Sequence, residues 1–138
     1  MIMSYSHPNP ERLKDIFNQA KTIAVVGLSD QSNRVSYQVS QVMKQAGFKI
    51  IPVNPNIQSS LGEKAYHHLS EIPGPIDIVN VFRKSIFLKD IAEEAVGIGA
   101  NVLWAQQGVV DEAVYELYNK DLFVVMDLCI KVAYQYNS

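Results

Sequence analysis

Short apolar runs alternate along the chain with stretches in which apolar residues return every three to four positions. The runs are Ile23–Val26, Ile50–Val53, Ile76–Phe82, Val102–Ala105 and Leu122–Met126. Most are continuous rather than alternating, the pattern of parallel strands buried on both faces. Ahead of the first run, Leu13, Ile16, Phe17 and Ala20 form one stripe behind Asn9-Pro10, an N-cap followed by proline at the first helical position. This spacing predicts an amphipathic helix lying across the first strand, with exposed apolar positions that would permit a homodimer. Val35, Val39, Val42, Met43 and Ala46 share one face of a second helix, and Gly47 stands where a C-cap glycine belongs. Leu88, Ile91, Ala92 and Ala95 mark a third helix ending near Gly97 and Gly99, and Asp111 caps a fourth before Val114, Leu117 and Tyr118. The interval from Asn54 to Pro75 has no helical period and predicts a short edge segment with a turn-rich loop.

Strands alternating with helices imply a parallel sheet with right-handed crossovers. The expected fold is a single doubly wound, Rossmann-like α/β domain over residues 1–138, with a mainly parallel five-stranded sheet and helices on both faces. Residues 1–21 add the N-terminal helix packed upon it. A chain of this size buries about two-thirds of its unfolded surface, so it needs no metal or disulfide staple. The lone cysteine, Cys129, excludes an intramolecular disulfide and suits a reducing, cytoplasmic setting. A net charge of −2, with 19% charged and 48% hydrophobic residues, argues against a broad nucleic-acid surface. The N-terminus has no secretory pattern, and no apolar run approaches the roughly 20 residues of a membrane span.

In doubly wound sheets, ligands bind beyond the carboxyl ends of the strands, where strand order reverses. The residues there are Gly27, Ser29, Asn33 and Arg34 after the first run, and Asn54 and Pro55 after the second. Arg83 and Lys84 follow the third, Gln106, Gln107 and Gly108 the fourth, and Asp127 and Cys129 the fifth. The first loop suits an anion. Gly27 lets backbone approach closely, and the helix starting near Arg34 points its free N–H groups at the loop. The chain has three arginines, Arg12, Arg34 and Arg83, and two fall on these loops. A guanidinium fork binds two phosphate oxygens at once. Ion pairing with Asp or Glu on a solvated rim is the structural alternative for either arginine.

The turn Gly27-Leu28-Ser29-Asp30-Gln31-Ser32 lacks the second and third glycines of the dinucleotide fingerprint. The stretch Gly47–Pro55 contains no Asp or Glu, where an NAD site needs a carboxylate on the ribose hydroxyls. Such a site suits a nucleotide whose ribose already carries phosphate.

Taken in order, G-x-S at Gly27, R-x-S at Arg34–Ser36, "PVNP" at Pro52–Pro55, "VFR" at Val81–Arg83, "WAQQG" at Trp104–Gly108 and D-x-C at Asp127–Cys129 resemble the small stand-alone CoA-binding-domain proteins. The resemblance covers roughly Thr22 to Lys131. The fold it implies is similar to the CoA-binding domain of the succinyl-CoA synthetase alpha subunit. It further implies CoA or an acyl-CoA as ligand, with Ser29, Asn33, Arg34 and Ser36 meeting phosphate. Val53, Asn54 and Pro55 would line the adenosine, while Phe82, Arg83, Gln106 and Gln107 would border the pantetheine path. Leu128, between Asp127 and Cys129, departs from the family, where many members carry Arg.

Other residues read more plainly. His67-His68 lie on an extended segment, where neighbours point to opposite sides, and read as a surface loop. Cys129 reads as a small buried hydrophobe, with a thiol able to meet the ligand's own thiol as the sharper option. Trp104 reads as a strand residue under a helix, and Tyr37 as facing either the ligand or the helix surface. Glu93-Glu94 and Asp111-Glu112 read as solvated helix faces. No nucleophile with an accompanying base emerges, so the expected role is a non-catalytic or regulatory binding protein for a CoA-type small molecule. An NAD(P)-binding protein and an interaction module with a vestigial nucleotide site are the alternatives.

Overall fold

The computed structural model describes residues 5–137. Seven strands occur in chain order: β1 (Thr22–Val26), β2 (Lys49–Val53), β3 (Ser59–Ser60), β4 (Glu63–Lys64), β5 (Ile78–Val81), β6 (Val102–Ala105) and β7 (Phe123–Val125). The helices are α1 (Pro10–Gln19), α2 (Val35–Gln45), α3 (Leu88–Gly97), α4 (Glu112–Tyr118) and α5 (Ile130–Asn137). Five strands form one wholly parallel sheet in the order β2-β1-β5-β6-β7, while β3 and β4 make a separate antiparallel hairpin. The expected Rossmann-like α/β architecture is the one observed.

Alternation within each strand divides the core into two layers. Ile23, Val25, Ile50, Ile78, Trp104 and Val125 pack with the buried residues of α1, α2 and α5. Ala24, Val26, Val53, Val79, Val81 and Leu103 pack on the opposite face with those of α3 and α4. Both layers are apolar, which explains why the strands read as continuous runs. The third run is longer than its strand, which starts at Ile78, just after Asp77. The Asp77 carboxylate accepts the N–H groups of Lys21 (2.7 Å) and Thr22 (3.0 Å), tying the amino end of β1 to β5.

Helix α1 begins as expected, with the Asn9 side chain accepting the Arg12 N–H and Pro10 in the first turn. Its position differs from the expectation. Phe17 lies 5.4 Å from the Trp104 ring and 5.4 Å, edge-on, from Tyr134 of α5. The Arg12 guanidinium sits 4.5 Å above the Phe123 ring. The helix therefore covers β6 and β7 beside α5 rather than crossing β1. Its stripe of Leu13, Ile16 and Phe17 is buried within the chain, so it offers no apolar face to a second copy. Helix α5, which the sequence pattern does not announce, is the partner that draws it there.

Two helix faces also turn from their expected registers. In α2 the buried positions are Ser36, Val39, Ser40 and Met43, while Val35 is 66% exposed. Ser36 turns inward because its hydroxyl accepts the Ser29 N–H at 3.0 Å. Leu117 of α4 likewise faces solvent.

The end of β6 is locked to the start of α5 by buried polar groups. Trp104 is fully buried and donates its indole N–H to Leu128 O at 2.8 Å. Asn80 donates to Trp104 O (3.1 Å) and to Gln106 Oε1 (3.2 Å), and the same Gln106 oxygen accepts the Ile130 N–H at 2.9 Å. The irregular interval after β2 folds back on that strand. Tyr66 forms a parallel bridge to Val53, with Tyr66 N–H donating to Pro52 O (3.0 Å) and Asn54 N–H to Tyr66 O (2.8 Å). A single 3-10 turn, Leu69–Glu71, follows. Glu71 Oε1 accepts the N–H groups of His67 (2.8 Å) and His68 (2.9 Å). The His68 N–H, supported by that of His67, holds the Glu71 carboxyl below its usual 4.5 although modest desolvation opposes the shift.

Trp104→Ala removes a fully buried indole and should cost about 3–5 kcal/mol, read as a lowered midpoint in denaturant unfolding with an unchanged slope. Because the Glu71 carboxyl is depressed in the folded chain, its contribution is present above pH 4.5 and lost as pH falls through the folded value. The melting-temperature gap between wild type and Glu71→Gln should therefore be largest near neutrality and close on acidification; a gap that widened in acid would contradict this.

Candidate functional site

The chain runs outward from β1 to the edge strand β2 and then returns across β1 to β5. Successive crossovers thus part between β1 and β5, and a cleft of about 390 Å³ opens beyond the carboxyl ends of β1, β2 and β5. Its floor is Val26, Val53, Leu69 and Ile91, and its polar rim includes Asn54, Asn56, His67, His68, Arg83 and Glu94.

Gly27 sets the closeness of the two strand ends. It has φ +90°, and a β-carbon there would lie 2.6 Å from Phe82 O and 3.1 Å from Arg83 Cδ. Only glycine fits both the backbone angle and the space. The loop beyond it is tied down on three sides. Ser29 N–H donates to Ser36 Oγ, Asn54 Nδ2 donates to Leu28 O at 3.0 Å, and Ser60 Oγ donates to Ser29 O at 2.7 Å. The hairpin of β3 and β4 thereby buttresses the first loop.

Arg83 enters the cleft from the end of β5, with its guanidinium 4.2 Å above the Phe87 ring. This stacking places the cation without neutralising it. Among the described residues the ion pair found is Lys44–Glu63, at 3.2 Å, and neither Arg34 nor Arg83 is paired with a carboxylate. Among the described residues the carboxylate lining the cleft is Glu94, which accepts the Ser70 N–H at 3.2 Å. The remaining lining donors are amides and imidazoles. This set, rich in donors and poor in free acids, fits a phosphorylated ligand.

Of the sequence-derived candidates, Gly27, Val53, Asn54, Pro55 and Arg83 line this cleft. Arg34 is the exposed N-cap of α2 and Asn33 precedes it on the open loop, so both stand outside the cleft lining. Ser29 is half-buried and Ser36 is buried, and the two bond each other. Phe82 is half-buried against the layer containing α1 and α2. Gln106 is buried and its side-chain oxygen serves Asn80 and Ile130. Gln107 is exposed, and the Gly108 N–H donates to Asp127 Oδ1 at 2.7 Å. Cys129 is half-buried beside Leu128, away from the cleft lining.

Sequence reasoning missed His67, His68 and Glu94. Both histidines are exposed, as a surface loop requires, yet both border the cleft, because Glu71 gathers their backbone N–H groups and the chain turns just beyond them. The signal was present in His68 and Glu71, three residues apart as in a capping box. Glu94 lies one turn beyond the inward-facing Ile91 of α3, so the same face of that helix reaches the cleft.

Comparison with known proteins gives the family and the fold. The family model described as a CoA binding domain matches residues 21–135. The protein YneT of Bacillus subtilis (strain 168) is 54% identical over 129 residues, covering 93% of this chain and 96% of that one. The acetate–CoA ligase [ADP-forming] II subunit alpha of Pyrococcus furiosus is 34% identical over 76 residues, which cover 54% of this chain but 17% of the ligase subunit. Among solved structures, a protein of Pyrococcus horikoshii OT3 superposes with a TM-score of 0.90 at 26% identity, covering 98% of this chain and 99% of that one. The structure of cell-free ID.343 from Thermus thermophilus does so with a TM-score of 0.90 at 29% identity, covering 95% and 100%. With that family model matching residues 21–135, most of its length, this chain belongs to the CoA-binding-domain family.

Proposed function

We propose that this protein holds CoA or an acyl-CoA across the carboxyl ends of β1, β2 and β5, as a binding or regulatory protein rather than a catalyst. The observation that carries the reading is the unpaired Arg83 guanidinium, fixed on Phe87 beside the close approach of Gly27 to Phe82. A cation held this way is pre-organised for phosphate, since the side chain loses little further freedom on binding. Arg34, also unpaired and at the start of α2, supplies a second cation together with that helix's free N–H groups. Ser29 and Asn33 add neutral donors on the same loop, and Val53, Asn54 and Pro55 give the adenosine a partly apolar wall. Phe82, Gln107 and the backbone around Gln106 and Gly108 border the route of the pantetheine arm.

The likeness to acetate–CoA ligases supports the ligand class and not the ligase reaction, because the matched segment is a small part of those enzymes. The cleft carboxylate Glu94 is engaged by a backbone N–H, so it supports shape more readily than proton transfer.

CoA or acetyl-CoA at a hundred times its dissociation constant should stabilise the chain by about 2.7 kcal/mol and raise its melting temperature by several degrees, while NAD and NADP should not. Arg83→Ala should weaken CoA binding by roughly tenfold to a hundredfold in calorimetric titration, and Arg34→Ala by a comparable factor. Stabilisation by NAD or NADP alone would replace CoA with a dinucleotide. Stabilisation by none of the four would leave the interaction-module reading, and unchanged affinity in either variant would remove that arginine from the site.

A further inference from the structure

We infer that His67 and His68 form a subsite for a phosphomonoester on the ligand's ribose, and so make the protein select CoA over dephospho-CoA. The inference rests on the CoA reading above and adds to it a specificity the family match does not assign.

Three observations support it. The first is position. In nucleotide-binding sheets of this topology, the end of the second strand faces the ribose hydroxyls, where an acid selects a free hydroxyl and a basic group accommodates a phosphate. Here β2 ends at Val53, and the bridge from Val53 to Tyr66 brings His67 and His68 directly beyond it. The second is composition. Asn54, Pro55 and Asn56 continue β2 without an acid, and both histidines line the same cleft. Imidazole donates a hydrogen bond to a phosphate oxygen whether or not it carries the second proton.

The third is the way neighbouring charges are disposed. The two carboxylates of this region are held by backbone N–H groups rather than paired with the cleft's cations. Glu71 takes the backbone N–H groups of His67 and His68, and Glu94 takes that of Ser70. Arg83 lines the cleft from β5, and Lys64 lies over the Tyr66 ring, 5.1 Å from its centroid. With their backbone N–H groups committed to Glu71, the two histidines have only their side chains to offer a ligand. The cleft therefore carries cationic or donor groups at two places: Arg83 near the diphosphate side and the histidine pair at the ribose side.

The test is calorimetric titration of the full chain with CoA and with dephospho-CoA, in wild type and in His67→Gln/His68→Gln. Glutamine preserves the backbone N–H groups that bind Glu71, so the turn persists. Wild type should prefer CoA by about tenfold or more, as expected for a charge-assisted contact. The double variant should lose that preference through weaker CoA binding, with dephospho-CoA affinity unchanged within about twofold. Should the double variant fail to fold, each single variant should show part of the same loss. Equal affinity of wild type for the two ligands, or a preference that survives in the variants, would overturn the subsite while leaving the CoA reading intact. Failure of wild type to bind either ligand would overturn both.

Discussion

The structure depends on how closely the end of β1 approaches the end of β5. At Gly27 the backbone adopts φ +90° and passes so near Phe82 O that a β-carbon would stand 2.6 Å away. Gly27 N–H also donates to Val53 O at 2.8 Å, and Phe82 N–H to Val26 O at 2.9 Å. One residue therefore joins three strand ends at the point where the chain's crossovers part. A side chain at that point would have to push the first loop away from β5, and Arg83 would no longer share a cleft with Asn54 and the histidines.

The two ends of the sheet serve different purposes. At the amino end, Asp77 gathers the N–H groups of Lys21 and Thr22. This satisfies backbone that would otherwise be orphaned where chain segments enter the sheet. At the carboxyl end, Asn80, Trp104 and Gln106 perform a similar office for β6 and α5, on the layer facing α1. The rest of the carboxyl end, around β1, β2 and β5, opens into the cleft, and among the described residues no carboxylate is paired to Arg34 or Arg83. The buried polar lock and the proposed ligand cleft thus occupy adjacent parts of one edge, so the proposed site would stand on rigid supports.

Much of this was legible in the sequence because parallel sheets covered on both faces write themselves as unbroken apolar runs. The five sheet strands follow from that signal, the cap at Asn9 from the Asn-Pro pair and the turn at Gly27 from its glycine. The helix α5 was not legible, since it buries only Ile130 and Ala133 along its length, too few to show a period. Without α5, the placement of α1 over β6 and β7 had no visible cause. The inward turn of Ser36 depends on a hydrogen bond to Ser29 seven residues earlier, which no helical pattern encodes. His67 and His68 escaped for a related reason. Strand alternation was applied to a segment that Glu71 bends into a turn. Arg83 could be placed at the cleft from its position after the third run, whereas the histidines needed the return of the chain along β2 to be seen there.

The central claim is that the crevice between β1 and β5 receives the nucleotide end of CoA. The most direct measurement is an amide-resolved NMR titration of the protein with CoA. Progressive shifts concentrated at Gly27, Ser29, Asn54, Asn56, His67–Leu69 and Arg83 are the result this structure predicts. Shifts confined to the opposite, amino-terminal edge around Arg12, Asp77 and Phe123, with the strand-end loops unmoved, would contradict it.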